Sequence, residues 1–155
     1  MSLPIKLYRI GSSLYKRGFK RVAKLMSLTN RMLFSLWLPS SAVIGKNFKV
    51  GYWGLGVVIH HNCKIGNNVT IAQNVTIGRN FGDNHVPIIG DDVYIGTGSV
   101  VFGEITVGNN VIIGANTVIN KDIPDNCTVV GNPFRIVQSD RLTKYYELDN
   151  NRQVF

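Results

Sequence analysis

IGDDVYIGTGSVVFGEITVGNNVIIGANTVI, residues Ile89 to Ile119, decides the fold. Ile89, Ile95, Val101, Val107, Ile113 and Ile119 stand six apart, and the same frame runs backward through Ile77, Ile71, Ile65 and Ile59. A second set follows four positions after each: Cys63, Val69, Val75, Val93, Ser99, Ile105, Val111, Thr117 and Ile123. Between them come Gly, Asn and Asp, which tolerate left-handed backbone angles at tight corners. A period of six is neither the 3.6 of a helix nor the 2 of an alternating strand. It fits a triangular coil in which six residues make a short strand and a corner, three sides close one turn, and both sets point inward to stack on the next coil. With Ile44 and Val50 as an out-of-frame start, the pattern predicts an all-β solenoid of about four coils.

The frame is broken twice. GYWGLGVV (Gly51–Val58) forms an irregular corner before the pattern resumes at Ile59. From Ile77 to Ile89 the interval is doubled and holds RNFGDNHVPI (Arg79–Ile88). Asp83 falls there where an inward aliphatic belongs, and a carboxylate in a stacked aliphatic core is very costly. The stretch is therefore expected to loop out of the coil, the place on a rigid scaffold where function concentrates.

Outside the repeat, residues 1 to 38 show helical spacing, with Tyr15, Phe19, Val22 and Met26 on one stripe and Lys16, Arg17, Lys20, Arg21 and Lys24 around it. This divides the chain into a helical cap at 1–40, a solenoid at 41–137 and a polar tail at 138–155. The cap is expected to cover the solenoid's open end, where backbone would otherwise be unpaired.

The 155 residues suffice for one core, and two cysteines do not make a disulfide scaffold or a zinc ribbon. The apolar run MLFSLWL (Met32–Leu38) is too short to span a bilayer. No phosphate loop, metal signature or dinucleotide fingerprint is present, so neither a metal nor a nucleic-acid partner is expected. Net charge is +8, unevenly spread: twelve Lys and Arg and no acid precede Asp83, and all nine acids follow from there. The N-terminal half is suited to anionic company, including peripheral contact with an anionic membrane from the cytoplasmic side.

The strings GVVIHHNCKIG (Gly56–Gly66), AQNVTIG (Ala72–Gly78) and NKDIPDNCTVVGNPFRIV (Asn120–Val137) carry a resemblance. The chain resembles the left-handed parallel β-helix acyltransferases with hexapeptide repeats, in the serine-acetyltransferase-like branch that includes many acetyltransferases of surface polysaccharides. The resemblance implies a homotrimer, acetyl-CoA as co-substrate, and a histidine that takes the acceptor's proton in a ternary complex. His85, two residues before Pro87, is the first candidate for that base, with Asp83 as its orienting carboxylate. His60, directly after an inward Ile59, is the rival, and His61 reads as a solvent-facing neighbour. For coenzyme A the resemblance implies a groove between subunits, here bordered by Gly96, Thr97, Gly98, Gly114 and Ala115, with Lys121 and Arg135 available to phosphates. Cys63 and Cys127 read as core rather than nucleophiles. The serine acetyltransferases carry an Asp-His pair a few residues before the strand that GVV begins here; counting back from Gly56 puts Trp53 at the histidine, and counting forward from Val50 puts Tyr52 there. That departure favours a sugar of a surface polysaccharide or its precursor as acceptor, with serine O-acetylation, or a scaffold without catalysis, as the alternatives.

Overall fold

Two antiparallel-running helices lead into the repeat in the computed structural model, which describes residues 1–150; the end of the predicted tail, 151–155, lies outside the described residues. The predicted stripe from Tyr15 to Met26 does not lie on one helix. Gly18 adopts φ +90°, which ends α1 (Leu3–Lys16) and turns the chain into α2 (Lys20–Phe34). Tyr15, Phe19 and Val22 are consequently exposed, whereas Ile5, Tyr8, Ala23 and Ser27 face the first coil. Tyr8 Oη donates to the Ala42 carbonyl at 2.7 Å, Arg9 donates to the carbonyls of Ile44 and Gly45, and Ser40 Oγ donates to Ala23 at 2.8 Å. These bonds satisfy backbone that the first coil leaves open.

The repeat then folds as strands of two to four residues. They are β1 (Val43–Ile44), β2 (Lys49–Val50), β3 (Val58–Ile59), β4 (Lys64–Ile65), β5 (Thr70–Ile71), β6 (Thr76–Gly78), β7 (Ile88–Ile89), β8 (Tyr94–Ile95), β9 (Val100–Phe102), β10 (Thr106–Val107), β11 (Ile112–Ile113), β12 (Val118–Ile119), β13 (Thr128–Val130) and β14 (Arg135–Gln138). As far as β12, every third strand joins the same sheet. β1, β4, β7 and β10 form one face; β2, β5, β8, β11 and β13 the second; β3, β6, β9 and β12 the third. All these pairs are parallel, giving four complete coils as the period predicts. β14 returns antiparallel along β13.

Register stacks the predicted residues on one another: Ile59 on Ile77, Val101 and Ile119; Ile65 on Ile89 and Val107; Ile71 on Ile95 and Ile113. All are buried, and each contributes ~1.5–3 kcal/mol by leaving water. Cys63, Val69, Val75, Val93, Ser99, Val111 and Thr117 fill the smaller inward positions. Ile123 departs from its expected place. The corner after Ile119 is two residues shorter than the others, so Ile123 bridges to Val107 and joins the large aliphatic stack.

One column of corners explains why the repeat writes Asn and Asp. Asn47, Asn68, Asp92, Asn110 and Asn126 all have φ between 55° and 62° or within a degree of it. Beside them a ladder climbs the coils, with the backbone N–H of Lys46, Asn67, Asp91 and Asn109 donating to the side chains of Asn67, Asp91, Asn109 and Asp125. The tail is docked on this column. Tyr145 Oη donates to the Asn68 carbonyl at 2.8 Å, and Lys144 Nζ meets Asp92 at 2.9 Å.

Candidate active site

Because β3, β6, β9 and β12 are in register, the residues just after them share one edge of the prism. His60 and His61 follow β3, the loop from Arg79 to Pro87 follows β6, Glu104 lies past β9, and Lys121 lies past β12. The long loop leaves the coil as the misplaced Asp83 requires, while Val86 turns back into the core. Asn62 ties it down, its amide donating to the Asp83 carbonyl at 3.1 Å and to Asn84 Oδ1 at 3.2 Å.

The loop does not pair Asp83 with His85. It carries the carboxylate back over the preceding coil, where Oδ1 meets His60 Nε2 at 3.3 Å and Arg79 at 3.1 Å, and Oδ2 meets His61 Nε2 at 3.2 Å. His85 instead faces Glu104, Nε2 to Oε2 at 3.6 Å. Both of these groups are exposed. Sequence reasoning missed Glu104. Its signal was the frame itself, which places it on the same edge one coil beyond the loop.

Hydrogen bonding distinguishes the histidines. His60 Nδ1 accepts the Asn62 backbone N–H at 3.3 Å, which puts the proton of the neutral ring on Nε2, facing Asp83. Both nitrogens are then engaged, and no lone pair is free to take a proton. Burial first, then the neighbouring His61, holds His60 below the ordinary imidazole value; Asp83 acts in the opposite direction without overcoming them. His61 and His85 each have a nitrogen that makes no hydrogen bond among the described residues. Cys63 lies beneath this edge, fully buried, and desolvation pushes its thiol up to about 11, so it is no nucleophile.

His60, His61 and Asp83 place three donor atoms within 4.8 Å of one another, a set that could seat a divalent cation. Two contacts count against it. Arg79 occupies the same carboxylate oxygen, and a metal on His60 Nε2 would shift the ring's hydrogen to Nδ1, directly against the Asn62 N–H.

The residues singled out for coenzyme A are divided. Gly96, Thr97 and Gly98 follow β8, and Gly114 and Ala115 follow β11, so they share a second edge of the prism. Gly96 and Gly114 are buried there for packing: a Cβ at 96 would lie 2.6 Å from the Ala115 nitrogen, and one at 114 would lie 2.8 Å from Val130. Thr97, Gly98 and Ala115 reach the surface. Lys121 stands on the histidine edge, and Arg135 is exposed on β14. Tyr52 and Trp53 belong to the second edge also, both in left-handed conformation, with Trp53 tilted against Phe34 at 5.5 Å. Neither residue supplies the imidazole of the family's Asp-His pair.

The repeats described as "Bacterial transferase hexapeptide (six repeats)" match residues 41–79 and 87–121. A serine acetyltransferase of Staphylococcus xylosus is 40% identical over 146 residues, 91% of this chain and 67% of that protein. Among solved structures, a serine acetyltransferase from Brucella abortus strain S19 superposes with TM-score 0.84 at 31% identity, covering 90% of this chain and 57% of that one. A serine acetyltransferase in complex with CoA superposes with TM-score 0.80 at 32% identity, over 86% of this chain and 55% of that one. The chain spans 41% to 67% of the curated relatives' lengths. These likenesses overturn the expected surface-polysaccharide acceptor and that branch of the resemblance: several relatives and solved structures that resemble the chain are serine acetyltransferases.

Proposed function

The chain belongs to the bacterial hexapeptide-repeat transferases with the left-handed β-helix, and from that premise we propose that it transfers acetyl from acetyl-CoA to the hydroxyl of serine. The observation that carries the chemistry is the edge bearing three histidines and two carboxylates, Asp83 and Glu104. The serine hydroxyl attacks the thioester carbonyl as a histidine takes its proton, and the tetrahedral intermediate collapses to O-acetylserine. The coenzyme thiolate leaves and is protonated, returning the histidine to its neutral form. His85 is the base in this reading, with Glu104 stabilising the imidazolium as it forms. His60 and Asp83 hold the loop that presents His85, because His60 has no free nitrogen for the proton.

The coenzyme groove belongs between subunits of a trimer. Its surface residues, Thr97, Gly98 and Ala115, stand on a different edge from His85, so one chain does not wrap a ligand between them. In the threefold assembly of this reading, the histidine edge of one protomer lies beside the second edge of its neighbour. Lys121 then lies on the histidine side of the groove, available to the nucleotide phosphates. The protein acts in the cytoplasm in this reading, where acetyl-CoA is at hand.

The test is coenzyme release with acetyl-CoA and L-serine, followed with a thiol reagent, with O-acetylserine identified by mass spectrometry. Turnover with serine above that with sugar acceptors is expected. Release of coenzyme only with another acceptor, or no binding of acetyl-CoA, would overturn it. The absence of the family's Asp-His pair at Tyr52 and Trp53 makes serine affinity the sharpest part of this test.

A further inference from the structure

Helix α2 is apolar on two opposite sides. One side, with Ala23 and Ser27 at its centre, packs on α1 and the first coil. The other turns Leu25, Leu28 and Met32 outward, flanked by Val22 and Leu33, with Met32 84% and Leu33 65% exposed. At 100° per residue these five fall within one arc of the helix, with Arg21 and Thr29 inside it and Lys24 along its border, while Lys20 lies nearer the packed side. An outward apolar arc on a helix already anchored by its inner side marks an interaction surface.

Charge selects the occupant. The first 82 residues hold twelve cations and no acid, and no Lys or Arg of either helix lies within 4 Å of a carboxylate among the described residues. Packing this surface on a second copy of itself would set uncompensated cations against cations. A bilayer with anionic headgroups supplies both halves of the match, acyl chains for the arc and phosphates for its border. No helix of the described residues is long and apolar enough to cross a membrane, so the contact is peripheral.

We propose that the outer face of α2 docks on an anionic lipid surface, the arc around Leu25 and Met32 entering the headgroup boundary while Arg21 and Lys24 meet lipid phosphates. This docking does not depend on which acceptor the enzyme uses.

The full chain is sedimented with vesicles of phosphatidylcholine alone or mixed with phosphatidylglycerol. Binding to the mixed vesicles, weakened by salt, is expected, and R21E/K24E should weaken it at least about tenfold, since each cation near such a surface is worth on the order of 1 kcal/mol. L25E/M32E should do the same, with helical circular dichroism and melting temperature unchanged. If L25E/M32E does not fold, R21E/K24E alone decides. Failure to bind, equal binding to neutral vesicles, or binding that survives R21E/K24E overturns the proposal. A smaller oligomer for L25E/M32E by light scattering overturns it as well, because the face would then lie between copies of the chain.

Discussion

Removing Glu104 tests the proposed base most directly. If His85 takes the acceptor's proton, a carboxylate 3.6 Å away stabilises the imidazolium that forms in the transition state. At the dielectric constant of water the attraction is about 1.2 kcal/mol, or roughly sevenfold in rate. Both groups are exposed, and at physiological ionic strength screening over this distance leaves about three- to fourfold. Glu104→Ala should therefore lower kcat by about sevenfold in dilute buffer and by less as salt is added, with the KM for acetyl-CoA unchanged. His85→Ala should cost ~10²- to 10⁴-fold, the range of a positioned general base. In the His85→Ala background Glu104→Ala should then cost nothing further, because there is no imidazolium left to stabilise. An equal loss in both backgrounds, or a loss indifferent to salt, would refute the pairing. If His60→Ala falls 100-fold while His85→Ala stays near the parent, the base has been assigned to the wrong ring.

Ile77 is fully buried between Ile59 and Val101, directly ahead of the Asp83 loop; Ile77→Ala should destabilise by about 3 kcal/mol and lower Tm by roughly 6–12 °C by calorimetry. A loss under 1 kcal/mol would mean that the coils do not stack as rigidly as the register implies. Burial raises the Asp92 carboxyl, but Lys144, Asn68 and Tyr146 together outweigh it and hold the group below its ordinary value of 3.8. Its folded pKa is thus the lower one, so its contribution is full above about 3.8 and is lost as pH falls through the folded value. Amide exchange at residues 144–147 should accelerate below that pH before the coils open, and Asp92→Asn should show the faster exchange already at neutral pH. Light scattering should give three times the chain mass of 17.2 kDa, and a monomer at micromolar concentration would remove the shared groove.

The solenoid was legible because stacking repeats one demand every six residues, so each of Ile59, Ile77, Val101 and Ile119 reports the same environment independently. Ile123 escaped because one corner is two residues short, a backbone detail that leaves no periodic trace. The site was legible in its membership and not in its pairing. Asp83 announced a loop by being misplaced, but whether that loop folds toward His60 or His85 depends on contacts such as Asn62 to Asn84, which have no frame to follow. Gly18 illustrates the same limit in the cap, where a helical period continued in sequence across a turn in space. The acceptor was misread because the Tyr52–Trp53 departure says only which base is absent. What a pocket receives is set by its whole surface.

If base and coenzyme wall come from neighbouring subunits of a trimer, as proposed, separating the histidine edge from the Thr97–Ala115 edge has a genetic consequence. A chain crippled only at His85 keeps an intact coenzyme wall, and a chain blocked only at Gly98 keeps its base. Each would then be inactive alone. Coexpressed in equal amounts and assembled at random, about a quarter of their interfaces join the sound half of one to the sound half of the other. Two null alleles of this gene should therefore complement when their lesions lie on different edges, and fail to do so when they share one.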